Sequence, residues 1–175
     1  VGSEMCIRDR ICTEENSMLG VVAEKHFPET RVKRITASQD WDREFTVQQV
    51  WQDLRDAQAH NAYEWKGHNN LTFNIHSSIP CTEWCTWQTM AIHKYGEDYQ
   101  RNLAKRQKRS ARRVRKFFQL AKAILDDGMG HVTFEWPKTS AGWKEIPVLR
   151  GILQSNRFNQ HVMHVFAMDV PWGKL

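Results

Sequence analysis

Two side chains in this sequence combine reactive groups with a local setting that favours chemistry. Cys81 directly follows Pro80, just after an alternating apolar segment, and Glu135 lies between Phe134 and Trp136. Because proline restricts the backbone around it, this position suits a nucleophile that is presented at a fixed angle. If Glu135 is buried among its aromatic neighbours, desolvation favours its protonated, hydrogen-bonding form. The alternatives are a small buried hydrophobic residue for Cys81 and an ordinary strand-end carboxylate for Glu135.

A second feature with chemical consequences is the segment 101–116, which contains nine basic residues and no acidic one. We call it the basic segment. The chain carries 25 basic and 20 acidic residues, so the remainder has four more acids than bases. The basic side chains repel one another unless anions lie near them, and the phosphates of a nucleic acid are suitable anions. The residues that we expect to contact nucleic acid are Arg106, Arg109, Arg112, Arg113 and Lys116. The alternative is a solvated helix surface.

Apolar periodicity predicts the elements that would position these groups. Strands are predicted at Ile11–Thr13, Val32–Thr36, Leu71–Ile75, His131–Glu135 and His161–Met168. Helices are predicted at 16–25, Glu44–Ala57, about 99–127 and Trp143–Gln154. Strands that are separated by helices form parallel sheets with helices packed on them. The sequence therefore predicts an α/β fold, a Rossmann-like and mostly parallel sheet with helices on both faces, incomplete at both ends.

Polar residues follow each predicted strand, at the edge where open parallel sheets bind their ligands. Cys81 follows the third predicted strand, Glu135 is the last residue of the fourth, and Asp169 follows the fifth. We therefore expect these three residues to line one cleft at the carboxyl edge of the sheet.

Two short motifs carry a resemblance to a known family. Ser-Ile-Pro-Cys-Thr at 78–82 and Phe-Glu-Trp-Pro at 134–137, with a helix between them, resemble the cytosine-5 DNA methyltransferases. The resemblance implies that Cys81 attacks carbon 6 of the base and that Glu135 holds ring nitrogen 3. Methyl transfer from S-adenosylmethionine to carbon 5 would follow. Trp84, Trp87 and Trp136 could stack around an extruded base, or pack in the core.

The same resemblance implies where the cofactor would bind. Glu14, Glu15, Asn16 and Ser17 lie at the predicted first strand–helix turn, and Asp40 lies near the end of the second strand. The expected function is a nucleic-acid methyltransferase, with DNA favoured over RNA as the partner. The alternative is a non-catalytic nucleic-acid-binding module of a mobile element on a degenerate Rossmann scaffold.

The spacing of the cysteine and histidine residues gives little support to metal binding. The zinc deaminases need Pro-Cys-x-x-Cys, whereas three residues separate Cys81 from Cys85 here, so this class is excluded. A generic zinc site from His76, Cys81, Cys85 and His93 matches no established ligand spacing, so no metal is expected.

Composition and the chain ends complete the expectations. No apolar run reaches the ~18 residues of a membrane span, so no membrane partner is expected. The four irregularly spaced cysteines favour a reduced, intracellular protein, with the nucleus as one candidate compartment. Residues 1–10 resemble a translated sequencing adapter and are expected to add nothing to the sheet. Residues 11–175 are expected to be a fragment of one methyltransferase-like domain.

Overall fold

The chain forms a small parallel sheet on which one long helix packs. The computed structural model describes residues 6–11, 21–22, 25–26, 32–35, 41, 48–56, 59, 72–126, 130–155 and 159. Its four strands are β1 (Cys6–Ile11), β2 (Val32–Ile35), β3 (Thr72–Ser77) and β4 (Gly130–Phe134).

All the strand pairs described are parallel, in the order β2-β1-β3-β4. The register of β3 and β4 places Ile75 opposite Val132 and Ser77 opposite Phe134. Side chains alternate between the two faces of a strand, so these four residues share one face. That face lies toward the core, because Ile75 and Ser77 are fully buried.

The dominant element is helix α1 (Trp87–Asp126), which follows a short 3₁₀ helix (Thr82–Trp84). Gly96 interrupts α1 with φ 72° and ψ −159°. This backbone region is essentially restricted to glycine, because any Cβ there meets the neighbouring peptide groups. α1 is therefore two helical segments that meet at a kink, and it begins 12 residues earlier than the sequence predicts.

Two short helices follow β4, where the sequence predicts one helix over Trp143–Gln154. They are α2 (Gly142–Glu145) and α3 (Pro147–Leu153). Ile146 between them is extended, with φ −86° and ψ 115°. Proline disfavours helical backbone in the residue that precedes it, so Pro147 breaks the predicted helix in two.

The hydrophobic core lies between α1 and the core-facing side of β3 and β4. α1 contributes a stripe of buried residues at helical spacing, Val114, Phe117, Ala121 and Ile124. Trp41 and the helical segment 48–56, with Val50 and Leu54, complete the same cluster. The predicted helix Glu44–Ala57 is confirmed for the residues described, and its Val50, Trp51 and Leu54 pack on the core.

The predicted Rossmann-like sheet with helices on both faces is wrong. The described part of the chain is mostly helical, and its sheet is small. On β4, Val132 and Phe134 pack against the core, whereas His131 and Thr133 on the opposite face are exposed. Among the described residues, no helix therefore covers that face of β4. The prediction failed because the pattern of strands and helices does not specify on which face each helix packs.

Two other expectations can be compared with the described residues. Residues 6–10 belong to β1, between β2 and β3, so the expectation that they add nothing to the sheet is wrong. The predicted strand His161–Met168 lies outside the described residues.

Candidate functional site

The segments that follow β3 and β4 meet at the carboxyl edge of the sheet, and hydrogen bonds join them. The backbone N–H of Glu135 donates to the carbonyl of Ser77, with an N···O distance of 3.0 Å. The indole N–H of Trp136 donates to the carbonyl of Ile79. These bonds extend the strand pairing past the last ladder residues, so the two predicted motifs lie side by side.

A second set of contacts holds the turn after β4 onto the 3₁₀ helix. The backbone N–H of Ala141 donates to the carbonyl of Trp84 at 2.9 Å. Gly142 lies between two indole rings, and a Cβ added to it would lie 2.4 Å from Trp136 and 3.1 Å from Trp84. Only glycine permits this close approach, so Gly142 fixes the distance between the two segments.

Cys81 lies immediately before the 3₁₀ helix, as a half-buried free thiol. Its carbonyl accepts a hydrogen bond from the backbone N–H of Trp84 at 2.8 Å. Desolvation by burial raises the pKa of the Cys81 thiol above its ordinary value of 9.0; a backbone hydrogen bond at Cys81 offsets part of this, and the nearby Cys85 and Glu83 raise the pKa further. The thiol is therefore protonated at neutral pH, and nucleophilic attack requires that a base remove its proton.

Glu135 contacts His76 on the exposed face of the sheet rather than its aromatic neighbours in sequence. Its Oε1 lies 3.6 Å from Nε2 of His76, and Nδ1 of His76 lies 2.9 Å from Oγ1 of Thr133. The Glu135 side chain is 57% exposed. The expectation of a carboxyl group in apolar surroundings is wrong, because alternation along the strand points Phe134 and Trp136 inward and Glu135 outward.

The tryptophans considered for base stacking divide into two groups. Trp84 is buried, and its indole N–H donates to Oγ of Ser110 at 2.9 Å. Trp136 packs against Phe134 and Trp143 at centroid distances of 5.4 and 6.2 Å. For these two rings the core alternative is confirmed. Trp87 is 70% exposed and remains accessible to a ligand.

Most of the remaining predicted site residues cannot be compared with the structure. Glu14, Glu15, Asn16, Ser17, Asp40 and Asp169 lie outside the described residues. Within the part of the chain that the structure describes, no three His, Cys, Asp or Glu side chains come together as a metal site. His76, Cys81, Cys85 and His93 are all described, so they do not form the zinc cluster considered from the sequence.

The basic segment forms a row of cations on the outer side of α1. At 100° per residue, the row lies opposite the buried positions Leu103, Val114 and Ala121. Its spacing is 4, 3, 4 and 3 residues, so it runs parallel to the helix axis for about 21 Å. Its five members are all exposed, and we call them the cationic stripe: Arg101, Lys105, Lys108, Arg112 and Arg115.

One member of the cationic stripe has an acidic partner among the described residues. Arg101 pairs with Asp98 one turn earlier, and both side chains are exposed. Among the same residues, no carboxylate pairs with Lys105, Lys108, Arg112 or Arg115. The stripe is therefore an exposed row of positive charge with little internal neutralisation.

The five residues predicted to bind phosphate coincide only partly with the cationic stripe. Arg106, Arg109 and Arg112 are exposed, Arg113 is half-buried and Lys116 is only 8% exposed. Lys116 is therefore a wrong prediction for a surface contact. The side of α1 that carries Lys116 is covered by another part of the chain. One turn before Lys116, the indole N–H of Trp41 donates to the carbonyl of Arg113 at 3.2 Å. The 4-3-4-3 spacing opposite the apolar residues was the signal that would have identified the stripe.

Comparison with known proteins adds no relative. No protein-family model, no curated protein and no solved structure matches this chain. None of the described helices combines the length and the apolar character that crossing a bilayer requires.

Proposed function

We propose that this chain binds nucleic acid through the cationic stripe of α1. The observation that carries the proposal is the position of the five cations on the side of the helix opposite the core. Their side chains can reach a ligand while the apolar side of the same helix stays packed on the sheet. The rise of the helix places one cation about every 5 Å, which is comparable to the spacing of phosphates along a nucleic-acid strand.

The chemistry of the stripe favours phosphate over a bilayer surface. A helix that lies in a membrane interface inserts its apolar face into the lipid, whereas Val114, Phe117 and Ala121 of α1 are buried in the protein. Six of the nine cations in 101–116 are arginines, whose planar guanidinium groups bind phosphate oxygens in pairs. Since the rest of the chain has an excess of acidic residues, the attraction is local to this helix.

The proposal is tested by charge reversal on the cationic stripe. In a triple variant, Lys105, Lys108 and Arg112 are each replaced by Glu, and binding to labelled oligonucleotides is measured by fluorescence anisotropy. Loss of three phosphate contacts lowers the log–log salt slope by about 2.1 on a single strand and 2.7 on a duplex. With equal affinities at 1 M salt as the reference, this difference in slope corresponds at 0.15 M salt to roughly 50-fold weaker binding on a single strand and 160-fold on a duplex.

A matched control separates the stripe from net charge. Lys138, Lys144 and Arg150 are exposed cations outside α1, so replacing all three by Glu changes the net charge equally. We expect this control to retain most of the wild-type affinity. Equal losses in both triple variants would show that binding follows net charge alone and would overturn the proposal.

A second candidate function is covalent chemistry on a pyrimidine base by Cys81. The observation that favours it is the hydrogen-bonded approach of the segments that carry Cys81 and Glu135. In this proposal the Cys81 thiol loses its proton to solvent and adds to carbon 6, while Glu135 in its protonated form donates a hydrogen bond to ring nitrogen 3. S-adenosylmethionine would supply the methyl group to carbon 5. Loss of the carbon 5 proton to solvent would then break the bond between carbon 6 and sulfur and restore the Cys81 thiolate.

The second candidate is tested on an oligonucleotide that contains 5-azacytosine, a ring that traps the cysteine adduct. We expect a complex that survives denaturing electrophoresis with the wild type and not with Cys81→Ser. Cys85→Ser is the matched control and should still form the complex. If the wild type forms no adduct and transfers no methyl group from labelled S-adenosylmethionine, the candidate is refuted.

A further inference from the structure

The first segment of α1 exposes an apolar and aromatic surface that the core does not use. Trp87, Met90 and Tyr95 are 70%, 55% and 59% exposed. At 100° per residue, Met90 and Tyr95 lie about 60° and 80° to either side of Trp87, so the three side chains cover about 140° of the helix circumference. In most helices apolar side chains face the core. These three side chains are exposed instead, so they are available to a ligand. We call these three residues the aromatic face.

The kink at Gly96 joins the aromatic face to the basic segment of α1. The ring of Tyr99, just after the kink, lies 5.6 Å from the ring of Tyr95. Its hydroxyl donates to Oε1 of Gln88 at 2.7 Å, and Nε2 of Gln88 donates to the carbonyl of Thr82 at 2.7 Å. This chain of hydrogen bonds holds the two helical segments in one relative orientation.

Cations are interleaved with these rings. The guanidinium carbon of Arg106 lies 5.4 Å from the Tyr99 ring centroid, and Nζ of Lys94 lies 5.2 Å from the Tyr95 ring centroid. Both distances are within the range of cation–π contacts. Rings and cations therefore alternate from the aromatic face to the half-buried Tyr99 and the exposed Arg106. Arg106 lies on a different flank of α1 from the cationic stripe, whose first member, Arg101, follows Tyr99 by two residues.

From these exposed rings on the helix that carries the cationic stripe, we infer that the nucleic acid bound by α1 is single-stranded, with bases stacked on Trp87 and Tyr95. The inference rests on the proposed function, because it takes the cationic stripe as the phosphate contact. Bases in a duplex are stacked on one another and present only their edges in the grooves, so exposed rings have little to bind there. In a single strand the faces of the bases are accessible, and proteins bind them with aromatic side chains beside a positively charged surface.

The test compares three probes, of which the two single strands carry the same number of phosphates. They are an oligothymidylate of about 12 nucleotides, an abasic strand of equal length and a duplex. Stacking of one base contributes about 5- to 150-fold in affinity by alanine substitution. We expect Trp87→Ala and Tyr95→Ala each to weaken oligothymidylate binding by a factor in this range. Binding to the abasic strand should not change, because it depends on the phosphates alone.

Two control variants make the result specific. Tyr95→Phe keeps the ring and should retain wild-type affinity, and Met90→Ala removes apolar area without removing a stacking ring. All three positions are exposed, and circular dichroism melting verifies that each variant folds. Equal weakening of oligothymidylate and abasic binding, or no weakening, would overturn the inference.

The remaining outcomes separate this inference from the proposed function. If the Glu substitutions on the cationic stripe abolish binding while Trp87→Ala and Tyr95→Ala do not, the stripe binds nucleic acid and the stacking inference fails. If the stripe variant binds as the wild type does, the proposed function fails and the inference fails with it. Tighter binding to the duplex than to oligothymidylate would also overturn the inference. So would loss of binding to phosphatidylserine vesicles in the Trp87 variant without any loss on oligothymidylate, since the aromatic face would then be a lipid contact.

Discussion

Substitution of Gly142 by Ala tests whether the turn after β4 packs on the 3₁₀ helix as described. The added Cβ would lie 2.4 Å from Cζ3 of Trp136, whereas ordinary contacts begin at 3.4 Å. The indole ring must therefore move by about 1 Å. It cannot move away freely, because its N–H is bonded to the carbonyl of Ile79 and Trp84 lies on the other side of Gly142.

The cost follows from these contacts. Overpacking a filled site costs about 1–3 kcal/mol, and loss of the indole hydrogen bond adds about 1 kcal/mol. Alanine in place of glycine returns up to about 1 kcal/mol at a helical position. We therefore expect Gly142→Ala to lower the free energy of unfolding by about 1–3 kcal/mol. In a chain of 175 residues this corresponds to a decrease in Tm of about 2–12 °C.

Gly151 in α3 provides the matched control. It is exposed and helical, and a Cβ added to it meets nothing within 4 Å. Gly151→Ala should therefore raise the free energy of unfolding by about 0.5–1 kcal/mol, through reduced freedom of the unfolded chain. Thermal melting followed by circular dichroism, with urea denaturation as a second measurement, gives both values. A Gly142→Ala variant as stable as the Gly151→Ala variant would refute the packing of Gly142 between the two tryptophans.

Three further predictions concern single positions. Gly96→Ala should destabilise the chain by about 1–3 kcal/mol through strain in the adjoining backbone, because no atom beyond that backbone lies within 4 Å of the added Cβ, and urea denaturation measures the loss. Ser110→Ala should cost about 1–3 kcal/mol in the same assay, because it leaves the buried indole N–H of Trp84 without its acceptor, whereas Ser110→Thr should cost less. Alkylation of Cys81 by iodoacetamide, followed by peptide mass spectrometry, should be slow at pH 7. Its rate should reach half its maximum above pH 9.0, because burial raises the pKa of this thiol. A midpoint below pH 8 would contradict the desolvation argument.

The sequence predicted those elements whose apolar pattern is strong. β3 and β4 were placed within two residues of their observed bounds, because Phe73, Ile75 and Val132 alternate with polar neighbours. The second segment of α1 was predicted for the same reason, with its stripe of Val114, Phe117 and Ala121. The first segment was not predicted, because its apolar residues are exposed and Gly96 interrupts the periodicity.

The candidate site was predictable only in its approximate position. Parallel pairing of β3 and β4 brings the segments after them to one edge, and this follows from the order of elements. The environment of each side chain does not follow from it: Glu135 contacts His76 on the exposed face, and Trp84 lies in the core. A one-dimensional pattern identifies the apolar side of a helix but not which flank a second segment covers, so the burial of Lys116 was missed.

The salt dependence of oligonucleotide binding tests the central claim most directly. Anisotropy titrations of the wild type with oligothymidylate from low to high salt give the slope of log affinity against log salt concentration. Contact of all five residues of the cationic stripe with phosphates predicts a slope of about −3.5, and the stripe variant with three Glu substitutions should reduce it to about −1.4. A wild-type slope near zero, or the same slope in the stripe variant as in the wild type, would contradict nucleic-acid binding by this helix.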